Sequence, residues 1–162
     1  MITHYSKYLK VLLIGYLNNL LIKFRIFKSE RFARYIFSSS HIKQTSIRPK
    51  YAAFLPNYNE KSKKFETSVF RINSLTESAI WEIGDYVENS RNKKAANKIS
   101  MKGYARFLYK NVIKYQLYIT QETSSHPLHA NILGWPTERE AQKELAILLA
   151  KTAILKMKKT QI

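Results

Sequence analysis

The segment that most constrains what this chain can fold into begins at Thr137. Thr137 and Glu140 have the Thr-x-x-Glu spacing of a capping box, in which each side chain satisfies a backbone donor at a helix start. Ala141, Leu145, Leu148, Leu149, Thr152 and Leu155 then recur at helical spacing, and Lys156, Lys158 and Lys159 follow where positive charge opposes the helix dipole. The pattern predicts a helix over residues 138 to about 156, and its apolar stripe needs a surface to bury against. Strands supply that surface. In residues 112–120, Ile113, Tyr115, Leu117 and Ile119 alternate with Lys114, Gln116 and Thr120, the period of a half-buried strand.

A second helix is expected over residues 77–88. Thr76 is its N-cap, Glu77 favours the first turn, Leu75 and Ile80 stand at the staple positions, and Ile80, Ile83, Gly84 and Val87 share one face with Trp81 at its edge. Residues 35–37 and 67–72 read as strands, and 95–99 as a short one. Residues 48–56, an apolar segment with Pro49 and Pro56 near its ends, suit an edge strand or an extended connection. Ser100 is expected to cap a short helix over residues 101–109, which Gly103 weakens. Residues 38–41, 57–64 and 126–136 read as turns or connections. The fold class is therefore α+β: a small, mainly antiparallel sheet packed by two main helices.

At 162 residues one domain suffices. Residues 33–162 are assigned to it, and residues 1–32 to a hydrophobic and basic N-terminal extension. The apolar run from Val11 to Ile22 is interrupted by Asn18 and Asn19 and falls short of the roughly 20 residues that span a bilayer. No small-residue cleavage site follows it. A helix docked on the domain, or an extension from an upstream start codon, is preferred to a membrane-surface helix. The absence of cysteine excludes disulfides and thiolate metal sites and fits a reducing, cytoplasmic setting.

Charge narrows the partners. Twenty-eight Lys and Arg against eleven Asp and Glu give +17. No acidic residue lies between Glu88 and Glu122, where Arg91, Lys93, Lys94, Lys98, Lys102, Arg106, Lys110 and Lys114 form a candidate anion-binding stretch. Nucleic acid or another polyanion would be attracted, with steep salt dependence. Against this stands the composition itself, since a chain rich in Lys, Ile, Asn, Tyr and Phe is also what A/T-rich coding produces. Tyr104, Tyr109, Tyr115 and Tyr118 interleave with the cations as base-stacking side chains would, although Tyr115 also fits the core.

Four blocks, Phe37-Ser38-Ser39-Ser40-His41, Ser68-Val69-Phe70-Arg71, Ile80-Trp81 and above all His129-Ala130-Asn131-Ile132-x-Gly134-Trp135-Pro136, carry a resemblance. Through them residues 33–155 resemble a family of small uncharacterised bacterial proteins. The resemblance implies that residues before about Phe32 lie outside the family domain, and it implies no reaction, substrate or catalytic residue.

Histidine and arginine are the remaining candidates for chemistry. His126 and His129 could share a metal ion only if His41 or Glu122 came near as a third ligand, and no metal or cofactor is assigned. His129 is the candidate acid–base group. Arg71, in an otherwise apolar strand, either grips a phosphate or carboxylate or pairs with Glu77, Glu82 or Asp85. His126, Asn131 and Trp135 are expected to line a pocket with them, unless Gly134-Trp135-Pro136 is only the turn before the last helix. Walker, Rossmann, Gly-x-Ser-x-Gly and His-Glu-x-x-His patterns are absent. Three functions follow in order: a polyanion-binding module, an enzyme acting on a phosphate-bearing or nucleotide substrate through Arg71 and His129, and an accessory domain that docks a protein partner.

Overall fold

The computed structural model describes residues 26–43, 45–93 and 95–158. The apolar run expected as an N-terminal extension lies outside them, as do Lys94 and Lys159. Among the described residues no helix is long and apolar enough to cross a membrane.

Among the described residues seven strands form one antiparallel sheet: β1 Arg31–Ile36, β2 Asn57–Asn59, β3 Lys64–Arg71, β4 Gly103–Leu108, β5 Tyr118–Gln121, β6 His129–Leu133 and β7 Ile154–Met157. Their order is β5-β6-β3-β1-β4-β7, and β2 pairs with the first residues of β3. The helices are α1 Glu77–Asn92, the short α2 Tyr109–Ile113, and α3 Arg139–Thr152. The α+β class is as expected.

Side-chain alternation sorts the sheet into two apolar layers. Phe32, Ile36, Val69, Ala105, Phe107, Ile119, Ala130 and Ile132 face α3, together with Phe54, Val112 and Trp135. Ala33, Tyr35, Phe70 and Tyr104 face α1, which contributes Ile80 and Ile83. On α1 the Thr76 hydroxyl accepts from the Ala79 amide at 3.3 Å, as an N-cap should, and Trp81 covers the edge against Tyr104 with ring centroids 4.9 Å apart.

Several elements differ from expectation. β1 begins at Arg31 and Phe32 is fully buried, so the packed domain includes residues ahead of the expected boundary at 33. Residues 48–56 form no strand; a 3₁₀ turn at Tyr51–Ala53 drops Ala53 and Phe54 into the α3-side core. Arg34 and Thr67 close the gap where β1 and β2 part along β3. Arg34 donates to the carbonyls of Ala53 and Ser68 at 2.9 and 2.8 Å, and Thr67 donates to that of Phe54 at 3.0 Å. Burial of Arg34, helped by the nearby charge of Arg91, lowers its guanidinium to about 10.

Residues 57–64, expected as a loop, hold β2 and its hairpin into β3, while 95–99 form no strand. Residues 101–109 are mostly strand β4 rather than helix. Gly103 explains the difference: a Cβ there would lie 2.2 Å from the Lys156 carbonyl oxygen of β7, so this glycine serves a close strand contact. Residues 112–120 divide between α2, a turn with Gln116 at φ 61°, and β5. Residues 126–136 contain β6.

The last helix is also shifted. Its N-cap is Glu138, and Thr137 bonds the Glu138 carboxylate at 2.9 Å, so the expected box does not close. Gln142, Ala146, Leu149 and Ala150 are its buried positions, and Ala153 turns extended to start β7 against β4. Replacing Gly103 with alanine should destabilise the domain by about 1–3 kcal/mol through overpacking at this strand pair. Urea unfolding of G103A measures it, and an unchanged midpoint would contradict the contact.

Candidate functional site

Register brings the site together. β3 and β6 place Ser68 opposite Asn131 and Phe70 opposite His129, while β5 places Thr120 opposite Asn131. Continued by one residue past Gln121 and Ala130, the β5–β6 pairing sets Glu122 across from His129, and the Glu122 amide donates to the His129 carbonyl at 3.0 Å. Glu66, Ser68, Glu122, His129 and Asn131 thus emerge on one polar part of the sheet, outside the apolar cluster under α1. They line an open depression of about 630 Å³, walled by Asn59, Lys61 and Ser62 of the β2–β3 hairpin.

A chain of three side chains runs along its floor. The Glu122 carboxylate lies 2.9 Å from His129 Nδ1, and His129 Nε2 lies 2.8 Å from the Ser68 hydroxyl. The Glu122 carbonyl oxygen is also 2.9 Å from Nδ1. Two acceptors at Nδ1 place the proton there, which leaves Nε2 as the acceptor of the Ser68 proton. The ring packs on Phe70 at 5.2 Å between centroids, which fixes its plane. The hydrogen bond from the Ser124 side chain, the largest effect, outweighs burial and, with the bond from His129 and the Ser124 amide, holds the Glu122 carboxyl below the usual range. Glu122 is therefore an anion at neutral pH.

Neighbouring groups complete the depression. Glu66 accepts from Asn59 at 2.9 Å, from Asn131 at 3.1 Å and from the Ser62 hydroxyl. A second depression of about 360 Å³ shares Asn59, Glu66, Ser68 and Asn131 and extends to Arg34 and Arg91. Arg91 stacks on Phe37, 4.5 Å from the ring centroid.

Of the expected site residues, the structure joins His129 and Asn131. Arg71 does not line that depression. It is an odd number of positions from Ser68 along β3, so it points to the opposite face, where it pairs with buried Glu30. Its partner is thus none of the three acids expected. Trp135 is also on the α3 side, buried, with its indole N–H donating to the Ile132 carbonyl at 3.1 Å.

His126 stands beside the site rather than in it, between Phe70 and Tyr86 at 5.6 and 5.0 Å. Its Nδ1 accepts from the Leu128 amide at 3.1 Å. Among the described residues no cluster of three or more His, Asp or Glu could hold a metal ion. Glu66 and Asn59 had no signal in the sequence beyond their type, Ser68 stood out only as the first residue of the Ser68-Val69-Phe70-Arg71 block, and Glu122 was legible only as a residue that folding had to bring near.

Among the described residues the cations of this stretch are spread over both ends of β4. Lys98 donates to the Asn92 carbonyl and Lys102 to the Ser100 hydroxyl near one end of β4, while Lys110 and Lys114 belong to α2 and its C-cap at the other, a strand of about 20 Å apart. Lys93 caps α1 through its backbone, and Arg106 lies within β4. Tyr104 is fully buried and donates to Glu77 at 2.7 Å, so it cannot stack on a base.

Comparison of the sequence with family models and curated proteins, and of the chain with solved structures, found no match.

Burial first, and then the charge of His129, lowers the pKa of His126 from 6.5. Its neutral form is favoured by folding, so its contribution to stability is complete above the unfolded value and is lost as pH falls through the lower folded value. His41, lowered by burial and by Arg34 and Lys50, acts in the same direction. Unfolding free energy should therefore fall as the pH drops below the ordinary histidine range of about 6.5, and His126→Gln should flatten part of that fall. Equal pH dependence in the variant and the parent protein, measured by urea titration, would rule out the burial argument.

Proposed function

We propose that the domain is a hydrolase acting on an ester substrate that carries an anionic, phosphate-type group, with Ser68 as nucleophile, His129 as general base and Glu122 as the carboxylate that orients it. The observation that carries this reading is the continuous hydrogen-bonded path from Glu122 through Nδ1 and Nε2 of His129 to the Ser68 hydroxyl, opening into a depression of about 630 Å³. It is the arrangement by which a serine hydroxyl is activated on unrelated folds, recognised by geometry rather than by sequence order.

The steps balance without a further reactant. Ser68 Oγ attacks the ester carbon while its proton passes to Nε2, and the imidazolium that forms is stabilised by Glu122. Collapse breaks the bond to the leaving alcohol, which takes the proton from Nε2. Water then repeats the sequence, its proton going to Nε2, and the acid leaves with Ser68 regenerated. Asn131, directly across from Ser68, offers the nearest side-chain amide for the oxygen that becomes charged, once it is released from Glu66. Arg91, which lines the adjoining depression, suits an anionic group on the substrate.

The ligand role considered for Arg71 passes in this reading to Arg91. Attraction of nucleic acid or another polyanion remains a second reading, supported by the charge of +17. Its cations are spread along β4 and the elements at its two ends.

A fluorophosphonate probe tests the nucleophile without knowledge of the substrate. The expected result is covalent labelling at Ser68, absent in Ser68→Ala and slowed by roughly a hundredfold to ten-thousandfold in His129→Ala. Glu122→Gln should slow it less. Labelling at other serines only, or at an equal rate in His129→Ala, would overturn the assignment.

A further inference from the structure

Remote from Ser68, a cavity of about 330 Å³ is lined by Arg31, Arg106, Phe107, Leu108, Asn111, Thr152 and Ile154. It contains two arginines and no carboxylate. β1 pairs with β4 so that Arg31 is opposite Leu108 and Ala33 opposite Arg106. Arg31 and Arg106 are thus diagonal neighbours on one face of the sheet, close enough for both guanidiniums to reach one ligand. Neither side chain has an ion-pair or hydrogen-bond partner among the described residues. By contrast, Arg34 and Arg71 are both committed to internal partners.

Two like charges held side by side without a counter-ion repel each other, and an anion placed between them removes that repulsion while gaining charge-assisted hydrogen bonds. We propose that Arg31 and Arg106 form a binding site for a dianionic phosphate group, that of a phosphomonoester. The planar forks of two arginines supply the donors, and the Asn111 amide adds another. Thr152 adds none, because its hydroxyl proton is given to the Leu149 carbonyl at 2.9 Å. Leu108 and Ile154 give the cavity apolar wall against which the organic part of the ester rests, and they lower the local dielectric around the charges. A phosphodiester, with one charge per phosphate and substituents on two sides, matches the pair less well. The site shares no residue with the Ser68 depression and stands independently of the hydrolase reading.

Phosphorus NMR titration with inorganic phosphate and with phenyl phosphate, in about 0.1 M salt so that diffuse attraction to the basic surface is screened, tests it. Saturable one-to-one binding is expected. Arg31→Gln and Arg106→Gln should each weaken it about tenfold or more, while Lys93→Gln, at the end of α1, leaves it unchanged. Arg31 is exposed, so its variant tests the site even if Arg106→Gln disturbs the sheet, which thermal unfolding would reveal. Binding that does not saturate, is weakened as much by Lys93→Gln, or persists in Arg31→Gln would overturn the proposal. Equal affinity for a thymidine dinucleotide would overturn the preference for a dianion.

Discussion

One helix is narrower than the sheet it covers, and the rest of the structure follows from that mismatch. A helix with its side chains is about 10–12 Å across, whereas neighbouring strands lie about 4.8 Å apart, so a single helix shields two or three strands. α1 spends its apolar face on β3, β1 and β4, where Tyr35, Phe70 and Tyr104 are buried beneath it. β6 and β5 continue beyond its reach. Their positions of the same parity must therefore be compatible with water, and they are occupied by His129, Asn131 and Thr120. The opposite face has no such vacancy, because α3, the turn at Tyr51–Ala53, α2 and Trp135 together cover it with apolar side chains.

The uncovered part is rigid as well as polar. Ser68 and His129 project from paired strands, and Glu122, the residue after β5, is held across from His129 by its amide bond to the His129 carbonyl, so the distances among the three follow from backbone register. Phe70, in the layer under α1, also supports the His129 ring, which couples the core to the site. Glu66 is held by two amides and a hydroxyl without a cation, so the floor keeps negative character even though the molecule as a whole is strongly basic. The surrounding positive charge then acts at a distance, drawing anions toward a site whose own chemistry depends on a neutral imidazole.

What the sequence made legible was local. Thr76 capping α1 and the alternation through Val69 and Phe70 depend on near neighbours, and both were read correctly. The errors arose where a distant strand decided the outcome. Gly103 looked like a flaw in a helix until the Lys156 carbonyl of β7 appeared against it. The last helix seemed to run through Leu155 because the apolar spacing continued, but that leucine belongs to a strand paired with Ala105. His129 and Asn131 were visible as a motif, whereas Ser68 and Glu122 join them only through pairing. The separation of Arg71 from His129 had a signal in the sequence: Ser68 and Arg71 are an odd number of residues apart, so one strand cannot direct both to the same face.

The central claim is that Glu122 fixes His129 with its proton on Nδ1 and its Nε2 turned toward Ser68. Nitrogen-15 NMR of the imidazole at neutral pH measures this directly. The account predicts a protonated Nδ1 coupled to a downfield proton that Glu122→Gln shifts upfield, and an unprotonated Nε2. A proton on Nε2, or an Nδ1 proton indifferent to the loss of the Glu122 charge, would contradict it.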